Sequence, residues 1–312
     1  MTDRPAPRIA VILPCYNEEA GIGDTVRSFR TAFPQATVYV YDNNSRDRTV
    51  ACAREAGAVV RSEARQGKGH VVRRMFADVD ADIYVLADGD GTYEAADAPG
   101  MVAQLRGERL DMIVGSRLTT YAGEAFRRGH RFGNDLLTGF LGLCFGRTFT
   151  DILSGYRVFS RRFVKSFPAL SRGFEIETEL SVHALELRMP TAEVVTAYKA
   201  RPAGSASKLN TYRDGWRILM MILNLFKRDR PLAFFSIIAA VLALTALLLV
   251  YPIFVTYVET GLVPRFPTAI LATGLMILAC LSLTSGFVLD IVTHGRREIK
   301  RLAYLAIPPL DE

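Results

Sequence analysis

At 312 residues the chain is long enough for one or two domains, and half of it is hydrophobic, giving a mean hydropathy of +0.17 that is high for a soluble enzyme. A net charge of +6 suits anionic lipid or phosphate-bearing substrates; no nucleic-acid motif accompanies it, and the arginine clusters lie beside apolar segments, which argues against nucleic acid as a partner. Cys15, Cys52, Cys144 and Cys280 are too scattered for a disulfide framework or a thiolate metal site, and the first apolar run is too short for a signal peptide.

Residues 8–13 predict a buried strand, followed by a polar loop, Pro14-Cys15-Tyr16-Asn17-Glu18-Glu19, and a helix over about 23–33. A second strand at 37–41 ends in Asp42-Asn43-Asn44-Ser45, and a helix at 48–56 is closed by Gly57. A short strand at 59–60 and a helix at 69–76 lead to the apolar run Ile83-Tyr84-Val85-Leu86-Ala87, a central strand ending in Asp88-Gly89-Asp90-Gly91. Strand–helix alternation implies an α/β architecture with a mostly parallel sheet and helices on both faces. Ligands bind such sheets at the carboxyl ends of the strands, where the polar clusters at 14–19, 42–47 and 88–92 all fall. Two carboxylates one residue apart at a strand end are oxygen ligands suited to Mg²⁺ or Mn²⁺ holding a diphosphate.

Further strands are predicted at 112–115 and 194–198, and helices at 134–145 and 174–187, the last carrying Glu175, Glu177, Glu179 and Glu186. Residues 201–210 form a polar Gly/Ser loop. Residues 212–226 predict an interfacial amphipathic helix, and 232–257 and 268–292 each exceed the roughly 20 residues a bilayer core requires. Lys227, Arg228 and Arg230 precede the first span, and His294, Arg296, Arg297, Lys300 and Arg301 follow the second. The positive-inside rule then predicts an integral membrane protein of the plasma or inner membrane, with both ends and the enzyme-like domain in the cytoplasm. The expected domains are 1–210, an interfacial helix and linker at 211–230, and a two-helix transmembrane hairpin with a basic tail at 231–312.

The motifs Pro14-Cys15-Tyr16-Asn17-Glu18-Glu19, Asp42-Asn43-Asn44-Ser45, Gly67-Lys68-Gly69 and Asp88-Gly89-Asp90-Gly91-Thr92-Tyr93 occur in order, with Gly115-Ser116-Arg117, Asp151-Ile152-Leu153-Ser154-Gly155-Tyr156-Arg157 and Arg201-Pro202-Ala203-Gly204-Ser205-Ala206-Ser207-Lys208 behind them. Together they resemble the inverting family-two glycosyltransferases of GT-A (Rossmann-like) fold over residues 8 to about 210, and within these the two-span polyprenyl-phosphate (dolichyl- or undecaprenyl-phosphate) hexose synthases. The resemblance implies transfer of a hexose from a nucleotide diphosphate sugar, UDP-glucose or GDP-mannose, to a polyprenyl phosphate. Pro14, Tyr16, Asn17, Glu18, Asp42, Asn44, Lys68, Asp88 and Gly89 would bind the nucleotide sugar, and Asp88 and Asp90 would hold the metal. Arg117 and Asp151 would join these aspartates as catalytic residues; Arg117, Arg127, Arg128, Arg131, Arg201, Ser205 and Lys208 would meet the acceptor phosphate, which guanidinium groups bind bidentately. The mannose synthases often carry a glutamine where this chain has Thr92, so a third protein ligand to the metal is not implied. A homo-oligomer through the membrane helices is compatible with the same pattern.

Plainer alternatives stand beside these roles. Aspartates 88 and 90 are also the residues of a capped turn, Asp42 of an Asx-turn, Glu18 of a first helical turn, and Lys68 and the arginines of solvated or headgroup-binding surfaces. A lipid phosphate is already an anion and needs no general base, whereas a hydroxyl acceptor would need one, for which Asp151, Glu175 and Glu177 are the candidates. A membrane-bound transferase to a lipid or glycan hydroxyl, a nucleotidyltransferase releasing pyrophosphate and a non-enzymatic scaffold are the rival functions.

Overall fold

The structure, a computed structural model, describes residues 6–117, 149–173, 175–199 and 223–310, together with residues 139, 142, 220 and 221. The chain divides into two compact units, one of Met1–Ile218 with Lys300–Glu312, the other of Leu219–Ile299.

The first unit is built on a seven-stranded sheet of order β3-β2-β1-β4-β6-β5-β7. Its strands are β1 (Ile9–Cys15), β2 (Thr37–Asp42), β3 (Val59–Ser62), β4 (Ile83–Leu86), β5 (Met112–Ser116), β6 (Arg157–Ser160) and β7 (Thr191–Val195). Strands β1 and β4 are almost wholly buried, as expected of central strands covered on both faces, which is why their sequences lack polar alternation. The edge strand β3 is mostly exposed and carries Arg61 and Ser62.

Among the described residues this unit also has the helices α1 (Ile22–Ala32), α2 (Thr49–Glu55), α3 (Lys68–Asp78), α4 (Ala98–Gly107), α5 (Arg161–Ser166) and α6 (Ile176–Glu186). In α1 the buried residues Ile22, Val26 and Phe29 recur at helical spacing and pack into the core with Val11, Leu13, Val38 and Val40. Each such side chain stabilises the fold by roughly 1.5–3 kcal/mol.

Several features depart from the expected elements. Residues 157–160 form β6, which runs antiparallel between β4 and β5 and so restores parallel direction to β5. Residues 98–107 are helical although Pro99 and Gly100 imitate a turn, because proline is tolerated in a first helical turn. Strand β7 occupies 191–195 rather than 194–198: it starts directly after Pro190 and pairs with β5 from Met112↔Thr191 to Ser116↔Val195. An edge strand needs no apolar run, so its polar start hid it. The helix expected at 134–145 and most of that at 212–226 lie outside the described residues.

The second unit contains α7 (Pro231–Thr260) and most of α8 (Phe266–Leu305), joined by a turn in which Gly261 is left-handed. At 30 and 40 residues these helices run about 45 and 60 Å, against a bilayer core of about 30 Å. Large apolar side chains such as Leu244, Leu248, Phe254, Leu278, Leu281 and Ile291 are exposed along them. On α7 the buried residues Ala239, Ala246 and Ile253 recur every seven residues, and on α8 Ala272, Ala279, Gly286 and Thr293 do the same, all but Ile253 being small. A seven-residue repeat of small side chains lets the two helices pack closely. The Ser282 hydroxyl donates to Phe235 O at 3.1 Å, and a Cβ at Gly286 would stand 3.0 Å from Phe235 Cβ.

Candidate active site

Strands β1, β2, β4, β5 and β7 share one direction, so their carboxyl ends lie along a single edge, and the loop that leads into β6 returns to that edge. The polar clusters meet there. Pro14 lies next to last in β1, and Tyr16, Asn17 and Glu18 follow that strand; Asp42 ends β2 and Asn44 follows it; Asp88, Gly89 and Asp90 follow β4; Arg117 follows β5; and Asp151 precedes β6.

The first two loops are stapled to each other. The Asn17 amide N–H donates to Ser45 Oγ at 2.8 Å, Arg46 N–H to Asn17 Oδ1 at 2.8 Å, and Glu18 N–H to Thr49 Oγ1 at 2.8 Å. Asp42 is buried and accepts from Ser45 N in an Asx-turn, while Asn44 reaches Ala64 O at 2.9 Å. Neighbouring Asn43, which the motif reading did not single out, is equally engaged: its Nδ2 donates to Glu63 O and Arg65 O, and its Oδ1 accepts from Gly67 N at 2.7 Å. Burial holds the Cys15 thiol's pKa well above its ordinary value, with Glu18 and Asp88 adding to the effect.

The aspartate loop is fixed from below. A Cβ on Gly89 would stand 2.3 Å from Cys15 Sγ, so only glycine lets the loop settle against β1. Asp90 is buried and its Oδ1 accepts from Thr92 Oγ1 at 2.6 Å and Thr92 N at 3.2 Å. Thr92 therefore orients Asp90. Asp88 is less buried, with its side chain 31% exposed, and its Oδ1 lies 2.5 Å from Lys68 Nζ. Lys68 Nζ also lies 2.5 Å from Glu177 Oε1 on α6. Burial alone would lower the Lys68 pKa; Asp88 and Glu177 overcome it and hold the ammonium charged.

A second ion pair lies at the same edge. Arg117 Nε donates to Asp151 Oδ2 at 2.7 Å and Arg117 Nη2 to Asp151 Oδ1 at 2.9 Å, with Asp151 only 1% exposed. Glu193 on β7 accepts from Asp151 N at 2.9 Å and from Thr150 N and Oγ1, both at 2.8 Å, fixing that loop. Arg157 is fully buried and donates to Ile152 O and Ser154 O, shaping the 151–157 loop from inside. Burial draws the Arg157 pKa down to about 10, Glu177 and Asp151 acting against that shift, and it stays cationic at neutral pH. Behind both pairs Tyr93, Tyr156 and Tyr198 pack together, and Tyr93 Oη accepts from Gly155 N at 3.0 Å.

This strand order, with polar loops converging on a carboxylate pair, has counterparts among known proteins. Residues 10–167 match the family model described as glycosyl transferase family 2. The chain belongs to glycosyltransferase family 2. It is 36% identical to glycosyltransferase AglJ of Haloferax volcanii over 74% of this chain and 77% of that one. It is 27% identical to a dolichyl-phosphate hexose transferase of the same organism, over 74% and 99% of the two chains. Among solved structures, glucosyl-3-phosphoglycerate synthase from Mycobacterium tuberculosis in complex with Mn²⁺, UDP-glucose and phosphoglyceric acid is similar at a TM-score of 0.56 and 25% identity, covering 71% of this chain and 79% of that one. The sheet is accordingly of GT-A type, and the protein is a glycosyltransferase.

In this glycosyltransferase the residues expected at the nucleotide sugar and the metal lie along one edge, and Lys68 touches Asp88. Arg127, Arg128, Arg131, Arg201, Ser205 and Lys208, expected at the acceptor phosphate, lie outside the described residues. Of the three candidate bases, Asp151 has both oxygens on Arg117, Glu177 is paired with Lys68, and Glu175 is exposed at the start of α6, accepting from Gly173 N at 3.1 Å. Glu179, on the same helix, holds Leu170 N and Ser171 N. Among the described residues no three or more His, Cys, Asp or Glu converge as metal ligands. The donor set fits a divalent cation that takes its remaining ligands from a diphosphate and water: two hard carboxylates on one tight loop, one of them part-exposed.

Proposed function

We propose that this glycosyltransferase moves a hexose, with inversion, from a nucleotide diphosphate sugar to a polyprenyl phosphate. The observation that carries this reading is the union, in one chain, of a family-2 transferase unit with two apolar helices of 30 and 40 residues. A water-soluble acceptor gives no reason for such a hairpin, whereas an acceptor dissolved in the bilayer favours an enzyme anchored there. The relative named dolichyl-phosphate hexose transferase supports the same choice.

Tyr16, Glu18, Asp42 and the neighbouring Pro14, Asn17 and Asn44 form the nucleotide end of the site, with Tyr16 offering a ring and Glu18 a hydrogen-bond acceptor. Lys68 presents an ammonium to the diphosphate. Asp88 and Asp90 would hold Mg²⁺ or Mn²⁺, which would neutralise the diphosphate as it leaves. An acceptor phosphate oxygen forms the new bond to the anomeric carbon from the opposite side. The old carbon–oxygen bond breaks and its electron pair departs with the nucleoside diphosphate, leaving a β-linked lipid-phosphate sugar. Arg117, with Arg127, Arg128, Arg131, Arg201, Ser205 and Lys208, would provide the donors that a phosphate monoester requires. The occupied states of Asp151 and Glu177 agree with an acceptor that is already ionised and needs no base.

By the positive-inside rule, the basic residues flanking the helices support a reading in which both ends and the transferase unit face the cytoplasm at a plasma or inner membrane. Purified protein offered undecaprenyl phosphate or undecaprenol, with the same donor, tests the acceptor. Mass spectrometry should find one hexose added to the phosphate and none to the alcohol. Glycosylation of the alcohol would overturn the reading in favour of a hydroxyl acceptor.

A further inference from the structure

Glu177 is a buried carboxylate that this reaction does not consume. It lies in the first turn of α6 and is 4% exposed; Oε1 meets Lys68, and Oε2 is buried with no hydrogen-bond partner among the described residues. The ammonium of Lys68 thus stands between two carboxylates, at 2.5 Å from each: Glu177 on one side and Asp88, one of the two expected cation ligands, on the other. Gly155 keeps the space open, since a Cβ there would stand 2.7 Å from Asp88 Oδ2 and 3.1 Å from Lys68 Nζ.

The charges of this cluster decide what it does. Asp88 and Glu177 flank Lys68, Asp90 stands two residues from Asp88, and the buried Arg157 cation acts on Glu177 from within the protein. A cation arriving at Asp88 competes with the ammonium already there. With Glu177 in place, Lys68 keeps an anionic partner when Asp88 is taken. Without it, the ammonium either holds Asp88 against the cation or is left beside it with no counter-charge, and both lower the cation's affinity.

We propose that Glu177 is a positioning residue, not a base: it retains Lys68 beside the aspartates and, through Lys68, sets their affinity for a divalent cation. The inference rests on the transferase reading, but its test uses neither sugar nor lipid. Mn²⁺ binding to the full chain in detergent is followed by the electron paramagnetic resonance signal of free Mn²⁺. Glu177→Gln should weaken Mn²⁺ binding about tenfold, and Lys68→Met should strengthen it. In the Lys68→Met background the Glu177→Gln effect should fall to within about twofold, because Glu177 reaches the aspartates only through Lys68.

Unchanged affinity in a folded Glu177→Gln protein overturns the proposal, as does a tenfold effect that persists without Lys68, which would mean that Glu177 acts directly. Should Glu177→Gln fail to fold, Lys68→Met decides: unaltered Mn²⁺ affinity would show that the ammonium does not compete at Asp88. Failure of the transferase reading shows separately, as an absence of nucleoside diphosphate release by wild-type protein.

Discussion

Arg117 and Asp151 form a two-point ion pair, Nε to Oδ2 at 2.7 Å and Nη2 to Oδ1 at 2.9 Å, although 34 residues of chain separate them. The pair ties the end of β5 to the loop before β6, and Glu193 fastens that loop to β7. Breaking a buried pair from one side costs roughly 3–5 kcal/mol. Asp151→Asn should therefore lower the thermal midpoint of the protein in detergent and reduce turnover through the misplaced Arg117. A variant with an unchanged midpoint, lost kcat and an altered pH–rate profile would instead mark Asp151 as a general base.

Gly89 bears on the aspartate pair by shape alone. Gly89→Ala should leave the fold intact but displace the loop, with a loss of about 10²-fold in kcat/KM, the scale of a displacement near 1 Å. Since the obstructing atom is Cys15 Sγ at 2.3 Å, Cys15→Ala in the same protein should restore part of that loss. Equal activity of the single and double variants would contradict this account.

Tyr304 joins the C-terminal segment to the transferase unit. Its hydroxyl donates to Asp111 Oδ2 at 2.7 Å; Asp111, wholly buried just before β5, also accepts from Ser160 Oγ at 2.7 Å and from both Arg162 Nε and Nη2. Arg301 reaches Leu187 O and Lys300 reaches Glu186 within the same unit. Tyr304→Phe should destabilise this unit by roughly 1.5–3 kcal/mol, the value of a hydrogen bond to a charged group. Thermal unfolding with a nucleotide-site probe checks it; no shift would show the segment to be merely adjacent.

His183 gives the unit an acid-sensitive core. It is 1% exposed against Phe163 and Phe167, and burial draws its pKa down to about 3, with Lys300 adding to the shift and Glu186 opposing it. The unfolded chain takes up this proton near pH 6.5, so the associated stability is complete above that pH and is lost as pH falls toward 3. At pH 5 the loss is about 2 kcal/mol. The difference between midpoints at pH 7 and pH 5 should shrink in His183→Gln, and an identical difference in both proteins would refute the assignment.

Much of the site is legible in the chain because its loops follow buried strands. The runs before Pro14, Asp42 and Asp88 are apolar, and each ends in a polar cluster, so the edge they share follows from strand direction. Glu177 and Glu193 are not legible in the same way: nothing in their neighbourhoods marks one for Lys68 or the other for Asp151, and only tertiary packing brings each pair together. Strand β6 is hidden for a related reason, since the fully buried Arg157 heads a short strand whose pairing with β4 and β5 is entirely long-range. Helix α4 opens with Pro99 and Gly100, which imitate a loop. The hairpin is legible from length and composition alone.

The central claim is the transfer itself, and nucleoside diphosphate release measures it most directly. Full-length protein in detergent would receive Mn²⁺ or Mg²⁺ and UDP-glucose, GDP-mannose or UDP-N-acetylglucosamine in turn, with and without undecaprenyl phosphate. The account predicts release from one donor that depends on the lipid and is abolished by Asp90→Ala. Release that is indifferent to the lipid, or that survives Asp90→Ala, would contradict it.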